Sequence, residues 1–114
     1  MNEATVQAMV RLAAADAGWA LWRNNVGVMI DSRGIPVRYG LANDSKAVNK
    51  NIKSADLIGI RPVLITPEMV GTVIGQFVSL ECKRPGAARH PAQQRWIDLV
   101  VRAGGYAKFT EGEL

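Results

Sequence analysis

Residues 77–83, Phe77-Val78-Ser79-Leu80-Glu81-Cys82-Lys83, alternate with a period of two. That period is the signature of a strand. Val78, Leu80 and Cys82 fall on one face, and Phe77, Ser79, Glu81 and Lys83 on the other. Glu81 and Lys83 are same-face neighbours, about 7 Å apart along the strand. Pro85-Gly86 then ends the run, since proline cannot donate to a ladder and glycine favours a turn. The N-terminal pattern differs. Val6, Met9, Val10, Ala13 and Ala17 recur at helical spacing and predict an amphipathic helix over residues 3–17. Asn2 suits its N-cap and Gly18 its C′ position. Glu3 lies on the apolar stripe. It either complements the helix dipole from an exposed first turn or aims a carboxylate inward at a metal site.

Between these elements the pattern predicts several strands. Residues 19–30 read as strand, turn and strand, with the polar Arg23-Asn24-Asn25 at the break. These three residues either shape a turn, the favoured reading, or hold a phosphate backbone. Asp31-Ser32-Arg33-Gly34 is a turn cluster, and residues 35–40 suit a return strand, Pro36 favouring an edge. Residues 41–53, with Lys46, Lys50 and Lys53 among asparagines, read as a polar loop with one helical turn. Asp56 then enters an apolar strand over 57–60. Residues 63–66 and 70–75 flank Pro67-Glu68-Met69 and predict a hairpin-like connection. After the 77–83 strand, Pro91 is well placed at helix position N1. A second helix follows over 91–103, with Trp96, Ile97, Val100 and Val101 on its apolar stripe and Gln93 on the same side. Gly104-Gly105 end it, and residues 106–109 form a last short strand. The order is helix, three or four strands, helix, strand: an α/β or α+β domain with a mostly mixed sheet.

Composition narrows the class. A chain of 114 residues, 48% hydrophobic, fits one globular domain spanning residues 1–114. Fourteen basic against ten acidic residues give +4, which is compatible with a polyanionic partner without requiring one. The single Cys82 permits no intramolecular disulfide, so the expected compartment is a reducing cytoplasm. The start, Met1-Asn2-Glu3, has no signal-peptide pattern, and no apolar run is long enough for a membrane span.

An acid-x-base tripeptide at a strand end, met by an aspartate from elsewhere, suits metal-dependent phosphodiester cleavage. That reaction needs a nucleophilic water, neutralised phosphate charge and a stabilised leaving group, much of which Mg²⁺ or Mn²⁺ can supply. Hard cations take oxygen ligands. Asp56 and Glu81 would supply carboxylates and Cys82 its backbone carbonyl. Lys83 would hold the attacking water or steady negative charge, and Gln93 would orient lysine, water or phosphate. By pattern alone, a surface Glu/Lys pair is the usual alternative. Arg84, Arg89 and Arg95 suit either phosphate contact or a solvated face. Trp19, Trp22 and Trp96 read as core packing rather than base stacking, and His90 as a cap or phosphate contact.

Several of these residues occur in a familiar order: Arg23-Asn24-Asn25-Val26-Gly27, Tyr39-Gly40-Leu41, Ser54-Ala55-Asp56-Leu57-Ile58-Gly59, Glu81-Cys82-Lys83, Pro91-Ala92-Gln93 before Trp96, then Gly104-Gly105. The chain thereby resembles a VRR-NUC domain, the virus-type replication-repair nuclease branch of the PD-(D/E)xK superfamily, in the stand-alone form of phages and bacteria. The resemblance runs from about Glu3 to Phe109. It implies a restriction-endonuclease-like αβββαβ core with a central mixed sheet flanked by helices. By it, Asp56, Glu81, Lys83 and Gln93 match catalytic positions, and Glu3 matches the first-helix acid. Arg23, Asn24, Asn25, Lys53, Ser54, Arg84 and Arg89 are the expected DNA contacts. The resemblance further implies a homodimer cutting branched DNA such as a Holliday junction with Mg²⁺ or Mn²⁺. No small-molecule cofactor or membrane is expected, and a phage-encoded protein would work in the bacterial host cytoplasm. Two departures stand out: Lys53 replaces a usual glycine before Ser54, and Cys82 a usual aliphatic residue. The competing expectations are a non-catalytic DNA-binding or dimerisation module of the same fold, and an RNA-directed nuclease.

Overall fold

Asn2 starts the first helix, α1 (Glu3–Asp16), by accepting the Thr5 N–H on its side-chain oxygen at 2.9 Å. Gly18 follows the last turn with φ of +80°, a conformation that favours glycine. The computed structural model describes residues 1–114, with three α-helices, six strands and one 3₁₀ turn. The architecture is mixed α/β. The chain divides into two compact units, residues 1–17 with 21–59, and residues 18–20 with 60–114. No helix is long and apolar enough to cross a membrane.

In the first unit, α1 keeps its predicted extent, but Val6, Met9 and Val10 stay exposed and Ala14 is its one buried residue. Alanine content and the Asn2 cap support this helix more than burial does. Strand β1 (Ala20–Arg23) pairs with β4 (Leu57–Ile60), and the Asn24 N–H continues the contact to the Asp56 carbonyl at 2.8 Å. Strands β2 (Gly27–Ile30) and β3 (Pro36–Tyr39) form an antiparallel hairpin with Gly27 opposite Tyr39. A Cβ at Gly27 would meet the hydroxyl end of the exposed Tyr39 side chain, which would have to turn aside. Asp31 closes the turn: its Oδ1 accepts the N–H groups of Arg33 and Ile35. Those bonds, the Ile35 amide foremost, hold its carboxyl below the usual range.

The polar stretch that follows is more structured than its composition suggests. Ser45 caps α2 (Lys46–Asn51) by accepting the Val48 N–H. Asn43 is almost fully buried, at 2% exposed. Its amide donates to the Gly27 and Tyr39 carbonyls, both at 2.8 Å. Its side-chain oxygen accepts from Arg38 Nη2 at 2.7 Å, and its backbone carbonyl from Arg38 Nε at 3.0 Å. One side chain thus fixes both hairpin strands and the exit toward α2.

The second unit corrects one expectation. No hairpin forms across residues 63–75; a single 3₁₀ turn (Pro67–Met69) lies between segments that join no ladder. Gly71 at φ of +83° turns the chain inside the second expected strand, so the β-branched run cannot pair along its length. Leu64, Ile65, Val70 and Val73 are left exposed. Beyond it, β5 (Val78–Cys82) pairs parallel with β6 (Tyr106–Thr110), and α3 (Pro91–Arg102) forms the crossover. Ile97 and Val100 of α3 are buried, whereas Val101 is exposed. Trp96 Nε1 donates to Ser79 Oγ at 2.8 Å, tying the helix to β5. Gly105 permits the close return: a Cβ there would lie 2.7 Å from Val100 Cγ1 and 3.0 Å from the Phe77 carbonyl. The expected single mixed sheet is present as three two-stranded ladders, β1-β4, β2-β3 and β5-β6.

Replacing Asn43 by alanine removes its amide from the Gly27 and Tyr39 carbonyls and takes one of two bonds from the half-buried Arg38 guanidinium. Asn43→Ala is expected to lower unfolding free energy by about 2–4 kcal/mol in urea denaturation. A loss below about 0.5 kcal/mol, the range of an ordinary surface change, contradicts the role given to Asn43.

Candidate active site

The acid and the base of the tripeptide meet in the second unit. Period-two geometry puts Ser79, Glu81 and Lys83 on the face of β5 that α3 covers, and their helix partners show it. A polar group on a covered face needs a partner. Ser79 takes the Trp96 indole, and Glu81 Oε1 takes the Gln93 amide at 2.7 Å. Gln93 is fixed at its other end: its Oε1 accepts the His90 N–H at 3.2 Å, as a third-position glutamine does at a helix start. This assigns the amide, with oxygen toward the helix cap and nitrogen toward Glu81.

Lys83 extends the parallel ladder by donating its N–H to the Thr110 carbonyl at 2.9 Å. Its side chain is 14% exposed, less than that of Glu81 at 41%. The ammonium Nζ lies 3.8 Å from Glu81 Oε1, its one carboxylate neighbour. Oε1 therefore faces both Gln93 and Lys83, while Oε2 makes no hydrogen bond. Because Lys83 turns its N–H toward β6, strand alternation turns the Cys82 carbonyl to the edge that β6 leaves unpaired. The Cys82 thiol belongs to the opposite face, and the residue is exposed. Glu81, Gln93, Ala92 and Trp96 line an open cleft of ≈ 330 Å³.

Asp56 lies in the first unit, held by backbone and neighbours rather than by its own carboxylate. Asn24 does most of this. Its Oδ1 accepts the Leu41 N–H at 3.2 Å, and its Nδ2 donates to Ser54 Oγ at 2.7 Å and the Ala55 carbonyl at 2.9 Å. Ser54 Oγ donates onward to the Leu41 carbonyl at 2.7 Å. Three loops are thus stapled beside Asp56, whose exposed carboxylate makes no hydrogen bond or ion pair. The polar atoms of Asn24 and Ser54, two of the expected DNA contacts, are engaged within the chain.

Glu3 is exposed in the first turn of α1. Arg23, Asn25 and Arg84 are exposed and unpaired, and Lys53 donates to Asn49 Oδ1 at 2.8 Å. Arg89 lies over the Phe109 ring at 4.8 Å and is not a free cation. Arg38 and Asn43 were not singled out from the sequence. An inward-facing amide from an irregular stretch has no periodic signature, and Arg38 read as one polar position of an edge strand.

No group of three or more His, Cys, Asp and Glu side chains gathers as a metal cluster. Oxygen donors stand free in each unit taken by itself: the unbonded Glu81 Oε2 and the Cys82 carbonyl at an open edge in the second, and the Asp56 carboxylate in the first. Oxygen donors suit a hard cation such as Mg²⁺ or Mn²⁺ and not a thiolate-seeking one. No family model, curated protein or solved structure matches the chain.

Gln93→Leu removes both amide bonds at once. It is expected to cost about 1–2 kcal/mol in urea denaturation. It should also speed hydrogen exchange at the His90 amide. An unchanged His90 exchange rate contradicts the capping role.

Proposed function

We propose that this chain is a metal-dependent nuclease that hydrolyses phosphodiester bonds in DNA, built on a PD-(D/E)xK core of the VRR-NUC type. The observation that carries the reading is the shared Glu81 Oε1. The Gln93 amide donates to it at 2.7 Å while the Lys83 ammonium stands 3.8 Å away, at the open end of a parallel strand. A surface Glu/Lys pair would need neither the glutamine clamp nor a lysine more buried than its partner.

Each residue then has a role. Gln93 fixes the Glu81 carboxylate, leaving Oε2 for a ligand. Glu81, the Cys82 carbonyl and Asp56 would hold Mg²⁺ or Mn²⁺ in this reading. A bound divalent ion would lower the pKa of its water and offset phosphate charge. Lys83, half-buried and short of counter-charge beyond Glu81, would steady the developing negative charge on the phosphate oxygens. The resemblance to stand-alone VRR-NUC domains implies a homodimer, whose two-fold axis would suit two symmetric strands of a branched junction.

The test is cleavage of a labelled four-way junction, a linear duplex and a single strand in Mg²⁺, Mn²⁺ or EDTA. Wild-type protein is expected to cut only with metal and to prefer the junction. Lys83→Ala should lower the single-turnover rate by about 10²–10³-fold while its circular dichroism stays unchanged. An active Lys83→Ala protein overturns the assignment of Lys83. Binding without cutting in any metal favours the non-catalytic module.

A further inference from the structure

Several cations of the first unit have no carboxylate partner, Arg38 and Lys53 among them. The chain's ion pairs are Arg33 with Asp31 and Lys83 with Glu81, so Arg38 and Lys53 belong to neither. Both line one cleft of ≈ 300 Å³, together with Asn43, Asn49 and Ser54. Arg38 is half-buried, and its two hydrogen bonds go to neutral acceptors on Asn43. A guanidinium has five N–H donors, so three remain. Lys53 uses one of its three donors on Asn49. A half-buried guanidinium without a counter-charge is unfavourable until an anion joins it.

We infer that the Arg38–Lys53 cleft binds a phosphate of the nucleic-acid backbone. Planar guanidinium donors match phosphate oxygens, and Lys53 adds a point charge at the rim. Rigid support is already present: buried Asn43 holds Arg38, and Asn49 holds Lys53. Ser54 on the cleft wall is two residues from Asp56, at most about 7 Å of chain. A strand anchored at the cleft would therefore run past the free Asp56 carboxylate. The anion site stands on this geometry alone; naming the anion as a backbone phosphate rests on the nuclease reading.

The experiment is fluorescence anisotropy of a labelled DNA duplex in EDTA, from about 50 to 200 mM salt, where binding follows counter-ion release. Lys53→Gln removes the charge but can still donate to Asn49. It is expected to weaken binding about 3- to 10-fold on any sequence and to lower the log–log salt slope by about one. Arg38→Gln would also break the Asn43 bonds, so Arg38 is read in the wild type. Its Nε–H resonance should shift saturably with added inorganic phosphate, and the duplex should compete. A Lys53→Gln protein with unchanged affinity and slope overturns the inference, as does a phosphate response that spares Arg38. Phosphate binding that the duplex cannot displace overturns the nucleic-acid assignment. Lys53-dependent binding without metal-dependent cleavage leaves the cleft intact and refutes the nuclease reading instead.

Discussion

The Gln93 amide is the constraint on which the candidate site depends. Its oxygen is committed to the His90 N–H at the start of α3, so only its nitrogen can reach Glu81. The helix cap thereby sets the direction of the carboxylate. The helix itself is held to β5 by the Trp96–Ser79 bond and can return to β6 because Gly105 admits Val100. Remove the clamp, and Glu81 and Lys83 are two ordinary neighbours on a strand. With it, one carboxylate oxygen is fixed between an amide and an ammonium while the other is left free.

The first unit uses the same device twice. Asn24 joins the loop ahead of β2 to residues 41 and 54–55, and Asn43 joins both hairpin strands to Arg38. Carboxamides suit this work because they donate and accept without carrying charge. The need follows from the limited core. Ala14 is the one buried apolar residue of this unit, so side-chain amides rather than apolar packing define how the loops meet. Each bond contributes modestly, about 1 kcal/mol, but a buried amide with three bonds concentrates several in one residue.

Much of this was legible from pattern. The limits and caps of α1, the β5 alternation, Pro91 at the start of α3 and the inward Gln93 all follow from local rules. The failures have a physical cause. Residues 63–75 look like paired strands because they are rich in β-branched residues, but Gly71 turns the chain within them and their apolar side chains are left exposed. The α1 stripe was legible as a stripe, yet periodicity does not say whether a partner covers it. Asn43 and Arg38 were invisible because their importance comes from tertiary position, not residue spacing. The Glu-x-Lys spacing predicted a same-face pair, but the greater burial of lysine required the fold.

The central proposal is that Glu81, aimed by Gln93, holds a divalent ion. Paramagnetic broadening by substoichiometric Mn²⁺ in an amide NMR spectrum tests it without any substrate. The account predicts that signals around Glu81–Lys83 broaden, and that Glu81→Gln abolishes the effect. No broadening there, or broadening that survives Glu81→Gln, would contradict it.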